Sequence, residues 1–228
     1  MTPIIVGHRG AAAHVLENTA ASFAAAVRFG VGMIELDVHE SLDGEFIVIH
    51  DTHVGRISPR RDIVCQTDST ELLGIELNDG QRLLTLPQAF AAIPKTVGVM
   101  IEIKAIRSFR RSADLIQQQA KDREVLATSF DVSLLQKLQD CVPSLRLGVV
   151  SKTIAKLSKA RRTGLHFEDV CLDFQCLTAS QVTDLKRDYK RVFAWTVDRP
   201  RDIRKIIACE VDGIISNRPD EVTKILSS

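Results

Sequence analysis

A chain of 228 residues suits one domain of ordinary to large size and leaves little room for a second. Lys and Arg total 30 against 29 Asp and Glu, a net charge of +1 with no basic run, so nucleic acid is not an expected partner. With 45% hydrophobic and 26% charged residues, the composition excludes disordered, collagenous and disulfide-scaffold classes.

The opening MTPIIVGHRG has no basic n-region, and Ile4-Ile5-Val6 is too short for a signal peptide. No later window reaches the roughly 18 apolar residues a membrane span needs, so no stable membrane insertion and a cytoplasmic location are expected. Residues 4–8 form the first predicted strand. A helix follows over 19–29, with Asn18 and Thr19 as candidate N-caps and Gly30 at its left-handed end. The second strand covers 33–39, and the tight-turn signal Asp43-Gly44 leads into an extra strand over 45–50. Residues 51–82 hold Gly55, Pro59, Gly74 and Gly80 and show no clear barrel periodicity; they are read as a small insert over one end. Thereafter helix and strand alternate: helices at 86–92, 108–121, 131–140, 152–161, 179–189, 200–208 and 219–226, strands at 98–103, 125–129, 146–150, 170–172, 192–196 and 213–216. This alternation predicts parallel strands with crossover helices, an α/β chain whose eight units make a (β/α)8 TIM barrel as one domain over 1–228. The cysteines Cys65, Cys141, Cys171, Cys176 and Cys209 are odd in number and never spaced C-x-x-C, which predicts buried free thiols.

Two strands carry charge where a covered strand should carry none. In Ile34-Glu35-Leu36-Asp37-Val38 the acids share one face and the apolar residues the other, and Ile101-Glu102-Ile103-Lys104 repeats the pattern. With helices on the outer face, the charges point inward, where unpaired carboxylates each cost several kcal/mol. Arg9 and Lys104 leave negative charge over, which a divalent cation would neutralise. All-oxygen ligation selects a hard ion, Mg2+ or Ca2+, over zinc. A polar layer closing the barrel by ion pairing is the structural alternative. His8, in Gly7-His8-Arg9-Gly10, and His50, beside Asp51, end strands at the rim where barrel active sites are built, and Arg9 can grip an oxyanion with a two-pronged fork. Asp51 could fix one imidazole tautomer. This set suits phosphate-ester chemistry; Glu17, His39 and His53 are nearby and are read as turn or supporting residues.

The chain resembles the glycerophosphodiester phosphodiesterase family. The resemblance rests on His8-Arg9-Gly10, Glu17-Asn18-Thr19 with Ser22-Phe23, Glu35-Leu-Asp37-Val, Asp43-Gly44, His50-Asp51, Glu102-Ile-Lys104, Ser129-Phe130, Trp195-Thr-Val and Val211-Asp-Gly-Ile-Ile, in family order over nearly the whole chain. It implies a TIM barrel that hydrolyses glycerophosphodiesters to sn-glycerol 3-phosphate and an alcohol with a divalent metal. Glu35, Asp37 and Glu102 match the metal ligands, His8 and His50 the acid/base pair, Arg9 and Lys104 the phosphate grips, and Trp195 the aromatic wall beside the substrate. Three stretches depart from the family pattern: Val15-Leu16 before Glu17, Leu84-Thr-Leu-Pro-Gln88, and Ser216-Asn217-Arg218-Pro219 where Thr-Asp-x-Pro is common. None is expected to touch the acid/base or metal positions. The competing readings are a lysophospholipase D or sphingomyelinase D-like phosphodiesterase, and a noncatalytic barrel that binds glycerophosphodiesters.

Overall fold

The computed structural model describes residues 2–228. In chain order the elements are β1 (Ile4–His8), α1 (Ala20–Arg28), β2 (Met33–Glu40), β3 (Phe46–Val48), α2 (Ser69–Gly74), β4 (Leu84–Thr85), α3 (Leu86–Ala92), β5 (Gly98–Ala105), α4 (Phe109–Gln119), β6 (Val125–Ser129), α5 (Val132–Cys141), β7 (Leu147–Ser151), α6 (Ile154–Arg161), β8 (Asp169–Asp173), α7 (Ala179–Asp188), β9 (Arg191–Trp195), α8 (Pro200–Ala208), β10 (Gly213–Ser216) and α9 (Pro219–Leu226). Strand β1 pairs in parallel with β2 on one side and β10 on the other. The run β2-β5-β6-β7-β8-β9-β10 completes the ring, so the eight parallel strands close as a (β/α)8 barrel. Strand β3 lies antiparallel on the end of β2, with Val38 opposite Val48, and β4 continues that edge outside the barrel.

The two-residue period of the strands divides the core. Ile34, Leu36 and Val38 of β2 and Ile101 and Ile103 of β5 belong to the outer apolar layer, packed with helix residues such as Phe23, Phe90 and Ile116. The inward positions begin apolar, where Val6, Met33, Met100, Leu126, Val150, Cys171, Phe193 and Ile215 fill the barrel. Further along the same faces they turn ionic, from Met33 to Glu35 and Asp37 on β2 and from Met100 to Glu102 and Lys104 on β5.

A second ionic layer closes the N-terminal end of the barrel. Fully buried Asp169 accepts from Arg146 Nε at 2.8 Å and Arg191 Nε at 3.0 Å, and both arginines also reach Glu124. Two guanidinium groups meet two carboxylates, so this layer is neutral by itself. The C-terminal layer is not.

Local chemistry sets the helix starts. Thr19, not Asn18, caps α1 by accepting the Ser22 N–H, and Gly30 takes φ +79° after the helix ends. At α3, Thr85 and Gln88 form a reciprocal capping box. The stretch 51–82 contains two short 3-10 turns, Val54–Arg56 and Val64–Gln66, in addition to α2. Val54, Ile57, Val64, Leu72 and Ile75 bury against Ile47 and Ile49 in a cluster of their own. The five thiols are free, but only Cys171 and Cys209 are buried; Cys65 is exposed and Cys141 and Cys176 are half-buried, so the expectation of burial fails for three of them. Among the described residues no helix is long and apolar enough to cross a membrane.

Candidate active site

The turn after β1 brings the first functional groups to the rim. Arg9 and Gly10 both have positive φ, +52° and +86°. A left-handed backbone costs a non-glycine residue roughly 1–2 kcal/mol, so the turn needs support from outside. Ser22 of α1 supplies it: its Oγ donates to the Arg9 carbonyl and accepts from the Ala11 N–H, both at 2.9 Å. A Cβ on Gly7 would sit 2.6 Å from the Gly10 carbonyl oxygen, and one on Gly10 would strike Ser22, so both positions exclude side chains. The Arg9 N–H then points at Glu35 Oε2, 3.0 Å away.

Glu35, Asp37 and Glu102 converge from β2 and β5, each offering an oxygen within 4.8 Å of the others. Asp37 is fully buried and is held by Asn18 Nδ2, Arg9 Nε and Lys104 Nζ, each at 3.0 Å. Lys104 Nζ also donates to Glu102. Three carboxylates therefore face two cations, and Arg9 is further shared with Glu17, 3.0 Å away. Glu35 Oε1 is buried with no hydrogen-bond partner. Burial, and then the neighbouring Asp37 and Glu102, push Glu35 well above its ordinary pKa. Burial also raises Glu102, against the pull of Lys104. For Asp37 burial opposes ionisation, but Lys104 and Arg9 outweigh it and hold the pKa down. The oxygen spacing matches two ligands on one hard cation, whose metal–oxygen distances are about 2.0–2.6 Å. The orphaned Glu35 oxygen and the surplus negative charge both fit such an ion, and the balanced layer at the other end of the barrel shows what ion pairing alone looks like.

Both histidines are tied through Nδ1. His50 Nδ1 donates to Asp51 Oδ1 at 2.6 Å. His8 Nδ1 lies 2.7 Å from Asn217 Oδ1. The Asn217 amide is oriented by Asp198, whose Oδ2 accepts from Asn217 Nδ2 at 2.8 Å and whose Oδ1 accepts from the Asn217 N–H at 2.8 Å. Oδ1 of Asn217 must then be the acceptor, which puts the proton of His8 on Nδ1 and leaves Nε2 bare, 3.8 Å from Glu35 Oε2. Burial, and then the Arg9 cation, lower the His8 pKa to about 4. Burial opposes ionisation of Asp51, yet hydrogen bonds from Arg56 and His50 hold it at about 2.

These groups open into a cavity of about 190 Å³ at the C-terminal end of the barrel, bordered by His8, Arg9, Glu35, His50, Glu102 and Lys104. Phe130, Lys152 and Trp195 also line it. Trp195 donates Nε1 to the Cys171 carbonyl at 2.9 Å and meets Phe130 edge-on at 5.5 Å, so the aromatic wall is rigid. The singled-out residues His8, Arg9, Glu35, His50, Glu102, Lys104 and Trp195 thus share one cavity, with Asp37 buried behind it. His53 instead caps a 3-10 turn, and His39 donates Nε2 to the His50 carbonyl at 3.0 Å.

Sequence reasoning missed Asn217, Asp198, Asn18 and Arg56. It also set aside the Ser216-Asn217-Arg218-Pro219 departure as remote from the acid/base positions, and the 2.7 Å contact with His8 corrects that. The end of β10 lies beside the end of β1 in the closed ring, so a change at 217 falls on position 8.

The sequence profile of the glycerophosphoryl diester phosphodiesterase family matches residues 8–221. The chain belongs to that family. It is thereby a member of a family of phosphoric diester hydrolases. A Caldanaerobacter subterraneus protein named glycerophosphodiester phosphodiesterase is 29% identical, over 99% of this chain and 98% of its own length. The Agrobacterium tumefaciens glycerophosphodiester phosphodiesterase superposes with a TM-score of 0.87 at 25% identity, covering 99% of this chain and 100% of that one. An Oleispira antarctica phosphodiesterase, solved in complex with the product sn-glycerol-3-phosphate, has the same fold with a TM-score of 0.89 at 22% identity, covering 100% of this chain and 98% of that one.

Proposed function

We propose that this enzyme hydrolyses glycerophosphodiesters to sn-glycerol 3-phosphate and an alcohol, with one divalent ion held by Glu35, Asp37 and Glu102. The observation that carries the reading is the surplus carboxylate charge in a cavity that also presents two imidazoles and two phosphate-gripping cations. A bound Mg2+ or Ca2+ supplies Lewis acidity toward a nonbridging phosphate oxygen. Arg9 and Lys104 add fixed positive charge at the same oxygens, where charge grows in the pentavalent transition state.

The two imidazoles differ in what backs them. His8 is backed by a neutral amide, and its burial and the neighbouring Arg9 cation favour the uncharged ring that accepts a proton. His50 is instead backed by the Asp51 carboxylate, which accepts from its Nδ1 at 2.6 Å. With each Nδ1 committed, only Nε2 of either ring is left for the substrate. His8 Nε2 removes the proton from the attacking hydroxyl as that oxygen bonds to phosphorus; this is either water, or the substrate's own glycerol 2-hydroxyl, in which case a cyclic phosphate forms and a water then opens its ring. His50 Nε2 delivers a proton to the alcohol oxygen as its bond to phosphorus breaks. Trp195 and Phe130 offer a flat apolar surface to the organic parts of the ester.

The experiment is product identification from a panel of glycerophosphodiesters, with and without chelator. Glycerol 3-phosphate release that stops on chelation supports the proposal, and binding without turnover at any ion supports a noncatalytic barrel instead.

A further inference from the structure

Arg56 lies in the 51–82 stretch, on the 3-10 turn Val54–Arg56, outside every barrel strand. Its guanidinium reaches back toward the rim and makes three hydrogen bonds: Nε to Asp51 Oδ2 at 2.7 Å, Nη1 to Glu17 Oε2 at 2.9 Å and Nη2 to Glu17 Oε1 at 2.6 Å. Both of these carboxylates have a second task. The other oxygen of Asp51 holds His50 Nδ1, and Glu17 Oε1 also accepts from Arg9 Nη1 at 3.0 Å. One side chain therefore ties down the two carboxylates that orient an imidazole and a guanidinium of the cavity.

We propose that Arg56 is a positioning residue that sets the separation and orientation of His50 and Arg9 through Asp51 and Glu17. The inference rests on the roles given to His50 and Arg9 above. A carboxylate turns readily about its terminal bond, because sp³–sp² torsions have broad minima. Asp51 gripped only by His50 would leave the ring free to tilt with it. The fork of Arg56 fixes the plane of Glu17 by two parallel bonds and spends its third donor on Asp51. A lysine at 56 could keep the charge but not the geometry, since an ammonium is a point donor on a flexible stem.

The Arg56 side chain is 45% exposed, which separates this role from a structural one. Exposed ion pairs contribute little to folding, so loss of the guanidinium should shift Tm by no more than about 4 °C in a chain of this size. Exposure also lets a small cation from solution reach the gap.

The test compares wild type with Arg56→Gln, Arg56→Lys and Arg56→Ala by steady-state kinetics, thermal melting and 15N-histidine NMR. Both Arg56→Gln and Arg56→Lys are expected to lower kcat by about 10- to 100-fold, with a rise in KM through Arg9. Free guanidinium should restore part of kcat in Arg56→Ala. The His50 Nδ1–H signal, sharp and low-field in wild type, should broaden or vanish in Arg56→Gln. Wild-type kcat in Arg56→Lys, or an unchanged His50 signal in Arg56→Gln, overturns the proposal. So does a loss of activity that follows Tm and ignores guanidinium. If the wild type turns over no glycerophosphodiester while the His50 signal still depends on Arg56, the functional reading fails and the positioning role stands.

Discussion

Replacing Glu35 with glutamine tests the electrostatic core of the site. The side chain is almost wholly buried, one of its oxygens has no partner, and it shares two cations with two other carboxylates. Its pKa is raised from 4.5 by burial and by Asp37 and Glu102, so the folded chain holds that proton more tightly than the unfolded chain does. The sign follows: without metal, the contribution of this group to stability is fully present below about pH 4.5 and is lost as pH rises through its folded-state pKa. A glutamine side chain there would keep the shape and the acceptor for the Arg9 N–H while removing the surplus charge. An uncompensated buried charge of this kind costs about 2 kcal/mol, so Glu35→Gln should raise Tm in chelator near pH 7 by roughly 4–8 °C. In wild type, a divalent ion at 100 times its Kd should add about 2.7 kcal/mol, a similar upward shift that grows with pH as the metal displaces the proton. The variant has lost a ligand and should not respond. The assay is thermal unfolding with chelator, Mg2+, Ca2+ and Mn2+ across pH 5–8. A wild type that ignores all three ions, or a variant less stable than wild type in chelator, would refute the reasoning.

The assigned proton roles predict a difference between leaving groups. His8→Ala and His50→Ala should each lower kcat by about 10²–10⁴-fold on an alkyl diester, but a nitrophenyl ester, whose leaving group needs no proton, should rescue only His50→Ala; equal losses on both substrates would reverse or dissolve the assignment. At position 217, Asn217→Asp exchanges the amide acceptor of His8 for a carboxylate, which favours the imidazolium, so the acid limb of the kcat/KM profile should move to higher pH; an unmoved limb would remove His8 as the base. Asp51, lowered to about 2, contributes stability that is complete above about pH 3.8 and is lost as pH falls through about 2. Asp51→Asn should flatten that part of the acid melting curve, and an unchanged curve would contradict the hydrogen bonding described for it.

The barrel was legible because its parts are locally punctuated. Helices α3, α8 and α9 begin at a proline or capping box and match their predicted spans, as do strands β1, β6 and β10. The alternation in β2 and β5 also foretold which side chains share the interior. Helix α2 and strand β4 were not legible: six and two residues carry too little periodicity, and their order comes from burial of Leu72, Ile75 and Leu83 on the apolar cluster at Ile47 and Ile49. Asn18 read as a cap because it stands beside Thr19, but its amide is spent on Asp37. Asn217 and Arg56 were invisible for a different reason. Asn217 meets His8 across 209 residues and Arg56 meets Glu17 across 39, on loops that come together only once the ring is closed and the 51–82 stretch has packed. No local pattern records such contacts.

The most direct measurement follows glycerol 3-phosphate release from a glycerophosphodiester by the purified enzyme, first stripped with chelator and then reloaded with graded Mg2+, Ca2+ or Mn2+, beside the Glu102→Gln variant. Turnover that is lost on stripping, returns with one of these ions in the wild type and needs far more ion in the variant is the predicted result. Undiminished turnover in the stripped enzyme would contradict the claim that these three carboxylates exist to hold a metal.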